Sequence, residues 1–206
     1  MMYRPSAYAI DDAAVLHEVM RSRVFATIAA AAGGRVRFAY APVMPGVDGT
    51  VRFHLARGNP LAGLPDGARV ALSMLAADCY VSPDWYRDTV TVPTWNYIAL
   101  EGEGALRRLA AEDLRAFVIA LSAQEEDKLA PKPPWLIGKV PEARQTALLN
   151  GIVGFSLTLD RLEGKFKLSQ DKTSGDLRGV IGGLEARGDP ASLAVARAMR
   201  RTSFAP

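Results

Sequence analysis

The sequence CYVSPDWYRDTVTVPTWNY, residues 79–97, contains two of the three tryptophans and three of the six tyrosines of the chain. Aromatic side chains bring large apolar area, and Tyr, Trp, Ser and Asn add hydrogen-bonding tips. Pro83 and Pro93 fix φ and restrict the residues before them, so this aromatic segment is predicted to be extended and not helical. It is either a loop folded back over its own core or a surface that binds a flat, partly polar ligand or a second subunit.

Strand patterns lie on both sides of the aromatic segment. They cover residues 24–30, 35–43, 51–56 and 69–76 before it, residues 97–109 after it, and a sixth strand within residues 151–170. Gly33-Gly34 and the turn PGVDG at residues 45–49 separate the first three strands as hairpins. Because no helix pattern falls between the first five strands, we expect an antiparallel sheet or barrel and not βαβ units.

Helix patterns surround these strands. The first begins at Asp11 or Asp12, the second and third cover residues 112–124 and 141–150, and the last two follow Thr173 and Asp189. The second pattern places apolar residues on one face, as is typical of a helix that covers a barrel. No composition shift marks a boundary, so we expect a single domain of residues 1–206, with residues 173–206 as a helical appendage within it.

Composition limits the classes of function. The net charge of +3 comes from scattered Lys and Arg, which falls short of a nucleic-acid footprint. A single cysteine, Cys79, excludes an intrachain disulfide and is best interpreted as a packing residue. With two histidines, a metal site or a catalytic triad is disfavoured, and no metal is predicted. The chain shows neither a signal peptide nor an apolar membrane span, so we predict a cytoplasmic protein that does not bind membranes.

Polar groups concentrate in two further segments. In HLARGNP, residues 54–60, Arg57 offers a fork of donors suited to phosphate, although a plain polar turn is the alternative. In GKFKLSQDK, residues 164–172, Lys165 and Lys167 share one strand face and are either ligand-binding or simply solvated. No P-loop, GxGxxG or GxSxG pattern is present, so a bound cofactor would have to supply any reactive group.

Six motifs occur in an order that resembles a known family. They are MYRPSAY (2–8), HLARGNP (54–60), YVSPDWY (80–86), VPTWNY (92–97), GIVGF (151–155) and EGKFKLSQ (163–170). The chain resembles the PaiB-type FMN-binding negative transcriptional regulators from Met2 to about Met199. The resemblance implies an α+β, mainly β, fold: a six-stranded antiparallel Greek-key split β-barrel of the pyridoxamine 5'-phosphate oxidase kind, with peripheral helices. It further implies a homodimer with FMN between the subunits.

The resemblance also implies roles for individual residues. Arg57 and Asn59, with His54 nearby, would serve the FMN phosphate and ribityl chain, and the aromatic segment would flank the isoalloxazine. The predicted cofactor-binding residues are His54, Arg57, Asn59, Ser82, Trp85, Trp95, Asn96, Lys167 and Gln170. Two positions depart from the family pattern: Gly58 stands where Ala is expected, and Asp171 where Asn is expected. The carboxylate of Asp171 places a negative charge near a phosphate or flavin edge.

Flavin binding is therefore the predicted molecular activity. The alternative is a flavin-dependent oxidoreductase, similar to flavin reductases or pyridoxamine phosphate oxidases, that acts on a small substrate. Direct DNA binding does not follow, because no helix-turn-helix with a basic recognition helix is visible; the nearest candidate ends at Arg200-Arg201.

Overall fold

The computed structural model describes residues 2–46, 48–87 and 90–203. Its strands are β1 (Ala9–Ile10), β2 (Phe25–Ala32), β3 (Arg35–Pro45), β4 (Thr50–Ala56), β5 (Arg69–Val81), β6 (Thr94–Arg108) and β7 (Ile152–Lys167). Its α-helices are α1 (Ala13–Ser22), α2 (Ala111–Asp127), α3 (Glu142–Asn150), α4 (Ser174–Arg187) and α5 (Pro190–Ser203). Val47 of the predicted turn, and Asp88 and Thr89 of the aromatic segment, lie outside the described residues.

All six predicted strands are present, and within the described residues the sheet has seven strands, one more than predicted. The additional strand is β1, which pairs with the end of β7 through Ala9 and Lys165. A strand of two residues carries no alternating pattern, so the sequence offers no signal for it. Strands β5 and β6 run further than predicted and extend into both ends of the aromatic segment.

The sheet is antiparallel wherever its register is described. Hydrogen bonds order the strands β1-β7-β4-β3-β2-β5-β6, and β7 also pairs with β6. The β2–β3 hairpin places Phe25 opposite Pro42 and Ala32 opposite Arg35. Gly33 and Gly34 form its turn with φ of 59° and 72°, which only glycine adopts readily. The non-sequential pairing of β7 with β4 supplies the Greek-key connection, which confirms the predicted fold class.

The chain divides into two compact units. Unit 1 comprises Met1–Val19, Ser73–Glu101 and Leu162–Pro206, and unit 2 comprises Met20–Leu72 and Gly102–Arg161. Helices α4 and α5 fall in unit 1, which also holds the aromatic segment. That residues 1–206 form a single domain, with residues 173–206 as a helical appendage, remains a prediction.

Each unit has buried apolar side chains of its own. In unit 2, the rings of Phe53 and Phe155 lie 5.4 Å apart, and Phe117 of α2 is buried. Gly104 of β6 is required there because a Cβ would collide with the carbonyl of Thr158. In unit 1, the apolar residues with the least exposure are Val81, Leu100, Leu168, Val180, Leu184, Val195 and Met199.

Helix starts follow the predicted capping chemistry. In α1, the Asp12 carboxylate accepts hydrogen bonds from the Ala14 and Val15 amides at 2.8 and 3.2 Å. In α4, Thr173 accepts from the Asp176 amide at 3.2 Å and donates its hydroxyl to the Asp176 carboxylate at 2.7 Å. None of the helices in the described ranges combines the length and apolar character that a membrane crossing needs.

Candidate functional site

The predicted cofactor-binding residues fall in both units. His54, Arg57 and Asn59 belong to unit 2, and the other six belong to unit 1. Each unit contains a cavity lined by one of the predicted cationic residues, Lys167 in unit 1 and Arg57 in unit 2.

Unit 1 contains a cavity of about 380 Å³, here called the lysine–tyrosine cavity. It is lined by Tyr8, Tyr86, Val90, Thr91, Val92, Thr94, Lys167, Ser169, Asp171 and Lys172. The end of β7 and the turn after it supply the charged groups, and the start of β6 supplies Thr94. Cavities of this size hold small organic ligands.

Lys167 is the central cation of this cavity. Its ammonium donates to Thr94 Oγ1 at 2.5 Å and to the Trp95 carbonyl at 2.7 Å. An ammonium has three N–H donors, so one remains for a ligand. Burial lowers the pKa of Lys167 from its ordinary value of 10.5. The two hydrogen bonds hold the side chain in place before any ligand arrives.

The negative charge of Asp171, which stands where the family pattern has Asn, is paired with neighbouring groups. Its carboxylate pairs with Lys172 Nζ at 2.9 Å and accepts a hydrogen bond from the Tyr8 hydroxyl at 3.1 Å. Burial alone would raise the pKa of Asp171, but these partners outweigh it and the pKa lies below its ordinary value. The negative charge is thus neutralised locally, and Lys167 is left as the uncompensated cation of the cavity.

The turn after β7 has an unusual backbone. Ser169 is buried and has φ of 64°, a left-handed conformation that is costly for a residue with a side chain. Asn96, which is fully buried, donates to Ser169 Oγ at 2.9 Å, and the Ser169 hydroxyl is 3.2 Å from Asn96 Oδ1. Gln170 donates to the Phe166 carbonyl and accepts from the Leu168 amide at 2.7 Å. Both predicted residues, Asn96 and Gln170, therefore hold this turn in place.

The aromatic residues of unit 1 differ in what surrounds them. Ser82 caps a short 3-10 helix, Pro83–Trp85, by accepting a hydrogen bond from the Asp84 amide at 3.3 Å. Trp85 packs its ring against Gly183 of α4. Trp95 is 53% exposed and meets Tyr80 edge to face at 5.2 Å.

Two other unit 1 residues, Lys165 and Cys79, are buried. Lys165 is buried, with its ammonium 5.4 Å from the centre of the Tyr97 ring and hydrogen-bonded to the Tyr3 carbonyl at 2.9 Å. It is therefore not a solvated lysine. Burial raises the pKa of the Cys79 thiol to about 11, which agrees with a packing residue.

Unit 2 contains a larger cavity of about 480 Å³, here called the arginine cavity. Its cationic lining residues are Arg57, Arg108 and Arg115, and Glu112 and Glu142 also face it. Arg57 donates through Nε to the Asn150 carbonyl at 2.6 Å and through Nη2 to the Ile152 carbonyl at 3.2 Å. The guanidinium thus bonds to the end of α3 and the start of β7, and its Nη1 group remains for a ligand.

The remaining unit 2 predictions lie beside Arg57 on the chain. His54 stands edge-on to Phe117 at 5.9 Å, its Nδ1 atom is buried without a partner, and burial lowers its pKa. Asn59 accepts from the Leu61 amide at 2.9 Å and so caps the 3-10 helix at Pro60–Gly63. A Cβ on Gly58 would meet no atom within 4 Å, so the Ala expected there would also fit.

Sequence reasoning missed several residues that line the two cavities. Tyr8 and Lys172 line the lysine–tyrosine cavity, and Arg108 and Arg115 line the arginine cavity. Tyr86, which also lines the lysine–tyrosine cavity, belongs to the aromatic segment that was predicted to flank the flavin. Tyr8 and Tyr86 close the motifs MYRPSAY and YVSPDWY, which gave a usable signal. The two arginines gave none, because the position of Arg108 depends on how β6 packs and that of Arg115 on how α2 packs. Within the described ranges, no group of three His, Cys, Asp or Glu side chains is placed to hold a metal.

Comparison with solved structures identifies the fold. The FAD and heme binding protein from Mycobacterium smegmatis aligns with a TM-score of 0.59 at 18% identity, covering 89% of this chain and 82% of that one. The flavocytochrome Anf3 from Azotobacter vinelandii aligns with a TM-score of 0.51 at 15% identity, covering 77% and 69%. At these identities the likeness shows the fold alone, a mainly antiparallel split barrel with additional helices.

Sequence comparison identifies the family. Residues 2–161 match the family described as "Putative FMN-binding domain". The chain therefore belongs to this FMN-binding family, and the prediction of FMN as cofactor is confirmed.

The relatives include one with a descriptive name. Protease synthase and sporulation protein PAI 2 from Bacillus subtilis is 26% identical over 96% of both chains. Uncharacterized proteins from Aspergillus fumigatus and Emericella nidulans are 31% and 35% identical over 74% and 59% of this chain. The alignments span 72% of the Aspergillus protein and 53%, about half, of the Emericella protein.

The chemistry of the lysine–tyrosine cavity fits FMN. A flavin presents carbonyl oxygens and ring nitrogens, and FMN adds hydroxyls and a phosphate. The free N–H of Lys167 suits an anionic or carbonyl acceptor, and the hydroxyl of Tyr86 and the side chain of Thr94 supply further polar groups. Asp171 does not oppose such a ligand, because its charge is paired.

Proposed function

We propose that the protein is an FMN-binding homodimer whose lysine–tyrosine cavity contributes to the flavin site. The observation that carries the proposal is the ammonium of Lys167, which two hydrogen bonds hold in place with one N–H unused. A positioned cation loses little side-chain entropy when a ligand binds, so its hydrogen bond adds directly to affinity. Bound FMN would supply redox chemistry, and the residues of the chain would bind and orient it.

We assign the FMN phosphate to Arg57 and its neighbours in unit 2, as the family resemblance implies. Two backbone carbonyls orient the guanidinium and leave Nη1 for an acceptor. His54, with an unpartnered Nδ1, and Asn59 lie within the same seven-residue motif, HLARGNP, and complete the assignment. Ser82, Trp85, Trp95, Asn96 and Gln170 are assigned to positioning or flanking the ring.

The phosphate assignment is tested by comparing FMN with riboflavin. Arg57→Ala is expected to weaken FMN about tenfold and riboflavin much less, because only FMN carries the phosphate. Arg144→Ala is a useful control, because Arg144 is an exposed arginine of α3 that lines neither cavity. Equal losses of FMN and riboflavin in Arg57→Ala would move the phosphate elsewhere.

The Lys167 assignment needs a variant that keeps the shape of the side chain. Lys167→Met retains the apolar stem and is expected to weaken FMN and riboflavin alike by about tenfold or more, since a charge-assisted hydrogen bond is lost. Flavin fluorescence quenching measures both affinities. If Lys167→Met bound flavin as tightly as the unmodified protein, Lys167 would have no part in the site.

The homodimer is supported by an apolar face on β2 and β3. Val36, Phe38 and Tyr40 alternate along β3 and are 64%, 62% and 68% exposed. They lie opposite Ala31, Ala29 and Thr27, so the neighbouring strand does not cover them. A contiguous apolar face of this kind commonly marks a protein interface. Light scattering should report a dimer that Phe38→Lys dissociates and that Leu129→Lys, an exposed position on another surface, leaves intact.

A regulatory role is proposed to act through flavin binding and not through reading a DNA groove. The Bacillus relative is named for protease synthesis and sporulation. In α5, however, Arg200 forms two-oxygen contacts with Glu185 at 2.8 and 2.9 Å, so its charge is compensated. Binding to its own promoter region that survives physiological salt would contradict this proposal. We place the protein in the cytoplasm, which agrees with its single, unpaired cysteine.

A further inference from the structure

Unit 2 contains a second, apolar opening beside the arginine cavity. Two cavities of about 310 and 250 Å³ share Val118 and Ile119 of α2 and Ile137 of the connector before α3. Leu148, Leu149 and Ile152 complete the apolar wall of the smaller one. Because the two cavities share lining residues, they are adjacent, and together they are here called the helical cleft.

The elements around the helical cleft leave apolar surface uncovered. Helix α3 has no buried residue, and its Leu148 is 50% exposed. Leu136 of the connector is 64% exposed. The hydrophobic effect favours a ligand that removes this surface from water.

One end of the helical cleft adjoins the arginine cavity. The smaller apolar cavity and the arginine cavity share Arg115, Gln145, Leu149 and Ile152. Arg115 donates through Nη2 to Gln145 Oε1 at 3.1 Å, and the amide nitrogen of Gln145 donates to the Ile137 and Val140 carbonyls at 3.2 and 2.8 Å. Gln145 therefore holds Arg115 at the junction, with the Nε and Nη1 donors of Arg115 left over.

The two ends of the cleft carry opposite charges. Arg115 stands at the junction, with Arg57 and Arg108 beyond it in the arginine cavity. Glu112 and Glu142 also line that cavity, so three cations face two anions. Asp127 lines the opposite end of the cleft. An anionic head group would therefore be attracted to the Arg115 end and repelled from the Asp127 end.

We propose that the helical cleft binds an anionic amphiphile, with an unbranched alkyl chain between α2 and α3 and a carboxylate head group at Arg115. The apolar wall accounts for the chain, and the positioned guanidinium accounts for the head group. This site uses residues outside the lysine–tyrosine cavity, so it is independent of how the flavin ring binds.

The chain-binding part is tested by calorimetry with octanoate and decanoate on the full-length protein, with and without added FMN. Affinity is expected to rise about fourfold for each methylene added, because each adds a similar apolar area. Ile119→Trp fills the cleft and is expected to abolish binding. Ala120→Trp, at the next, exposed position of α2, is the matched control and is expected to bind normally.

The head-group part is tested by comparing decanoate with decan-1-ol. Arg115→Gln is expected to weaken decanoate about tenfold and to leave decan-1-ol unchanged. Arg144→Gln, an exposed arginine of α3 that lines none of these cavities, controls for a general loss of positive charge. Absence of decanoate binding, or binding that Ile119→Trp leaves intact, overturns the proposal. A dimer that Ile119→Trp dissociates would show that a second copy covers the cleft and would overturn it as well.

Discussion

The two ends of the aromatic segment have similar compositions but different surroundings within unit 1. At the first end, Trp85 packs against α4, and the Arg87 amide donates to the Asp176 carboxylate at 2.8 Å. At the second end, Thr94 and the Trp95 carbonyl receive hydrogen bonds from Lys167, and the Trp95 ring is half exposed. At the first end the Trp85 ring serves packing and only Tyr86 lines the lysine–tyrosine cavity, whereas at the second end Thr94 and the Trp95 carbonyl hold the central cation of that cavity.

What separates the two ends is a glycine stripe on α4. Gly175, Gly179 and Gly183 recur every four residues, so they lie on one face of the helix. A Cβ at Gly179 would collide with the Trp85 carbonyl, and one at Gly183 would collide with the Trp85 ring. Aromatic content alone therefore does not distinguish a packing residue from a ligand-binding one. The glycines of α4 that fit against Trp85 identify it as a packing residue.

The strongest test of this difference is Gly179→Ala. The added methyl has to displace backbone, so we expect the free energy of unfolding to fall by about 3 kcal/mol. Denaturant unfolding followed by fluorescence measures this. Gly182→Ala is the matched control on the same helix: its Cβ would meet no atom within 4 Å, and the change should be neutral or stabilising by up to about 1 kcal/mol. If both variants had the same stability, close packing of Trp85 on α4 would be contradicted.

Asn96→Ala should have the next largest effect. Asn96 is fully buried and is bonded to Ser169, so its loss leaves the Ser169 hydroxyl without this partner. We expect a loss of about 2 kcal/mol in the free energy of unfolding and weaker FMN binding, because the left-handed turn at Ser169 is released. Ser169→Gly removes the same hydrogen bond but adopts positive φ readily, and so should retain more stability. Full stability in Asn96→Ala would mean that the hydrogen bond contributes nothing to this turn.

Much of the fold follows from local sequence signals. The hairpin at Gly33-Gly34, the caps at Asp12 and Thr173 and the alternating strands are all properties of short segments. The pairing of β1 with β7 is not, because it joins residues more than 150 positions apart through a strand of two residues. Long-range pairing of such a short strand leaves no periodic trace in the sequence.

The candidate site was less predictable than the fold. Lys167 was found because its motif is distinctive, but the partners that hold it, Thr94 and the Trp95 carbonyl, depend on how β6 and β7 pack. Asp171 was identified as a disturbing charge, and its compensation by Lys172 and Tyr8 required side-chain positions. Motifs thus located the groups, whereas burial and hydrogen bonding decided which of them remain free for a ligand.

Trp95→Leu tests the second end of the segment with a smaller expected effect on stability. Its ring is half exposed and its described ring partner is Tyr80, so unfolding should become easier by less than about 1 kcal/mol. If Trp95 flanks the flavin as proposed, affinity for FMN and riboflavin should fall together by about three- to tenfold. Tyr80→Leu removes the same ring pair and is the control for stability. Unchanged flavin binding in Trp95→Leu would assign the exposed ring to another partner.

The smallest expected effect is the pH dependence that Lys167 confers on FMN binding. Its pKa is lowered by burial from 10.5, so the ammonium loses its proton at a pH where an exposed lysine keeps it. FMN affinity should therefore fall as pH rises through this lowered pKa, and Lys167→Met should lack that component. The same lowered pKa has the opposite effect on stability, because between it and 10.5 the unfolded chain binds more protons than the folded one. The contribution of Lys167 to the free energy of unfolding therefore rises with pH, whereas its contribution to FMN affinity falls. Parallel titrations of stability and FMN affinity thus distinguish deprotonation of Lys167 from simple unfolding at alkaline pH.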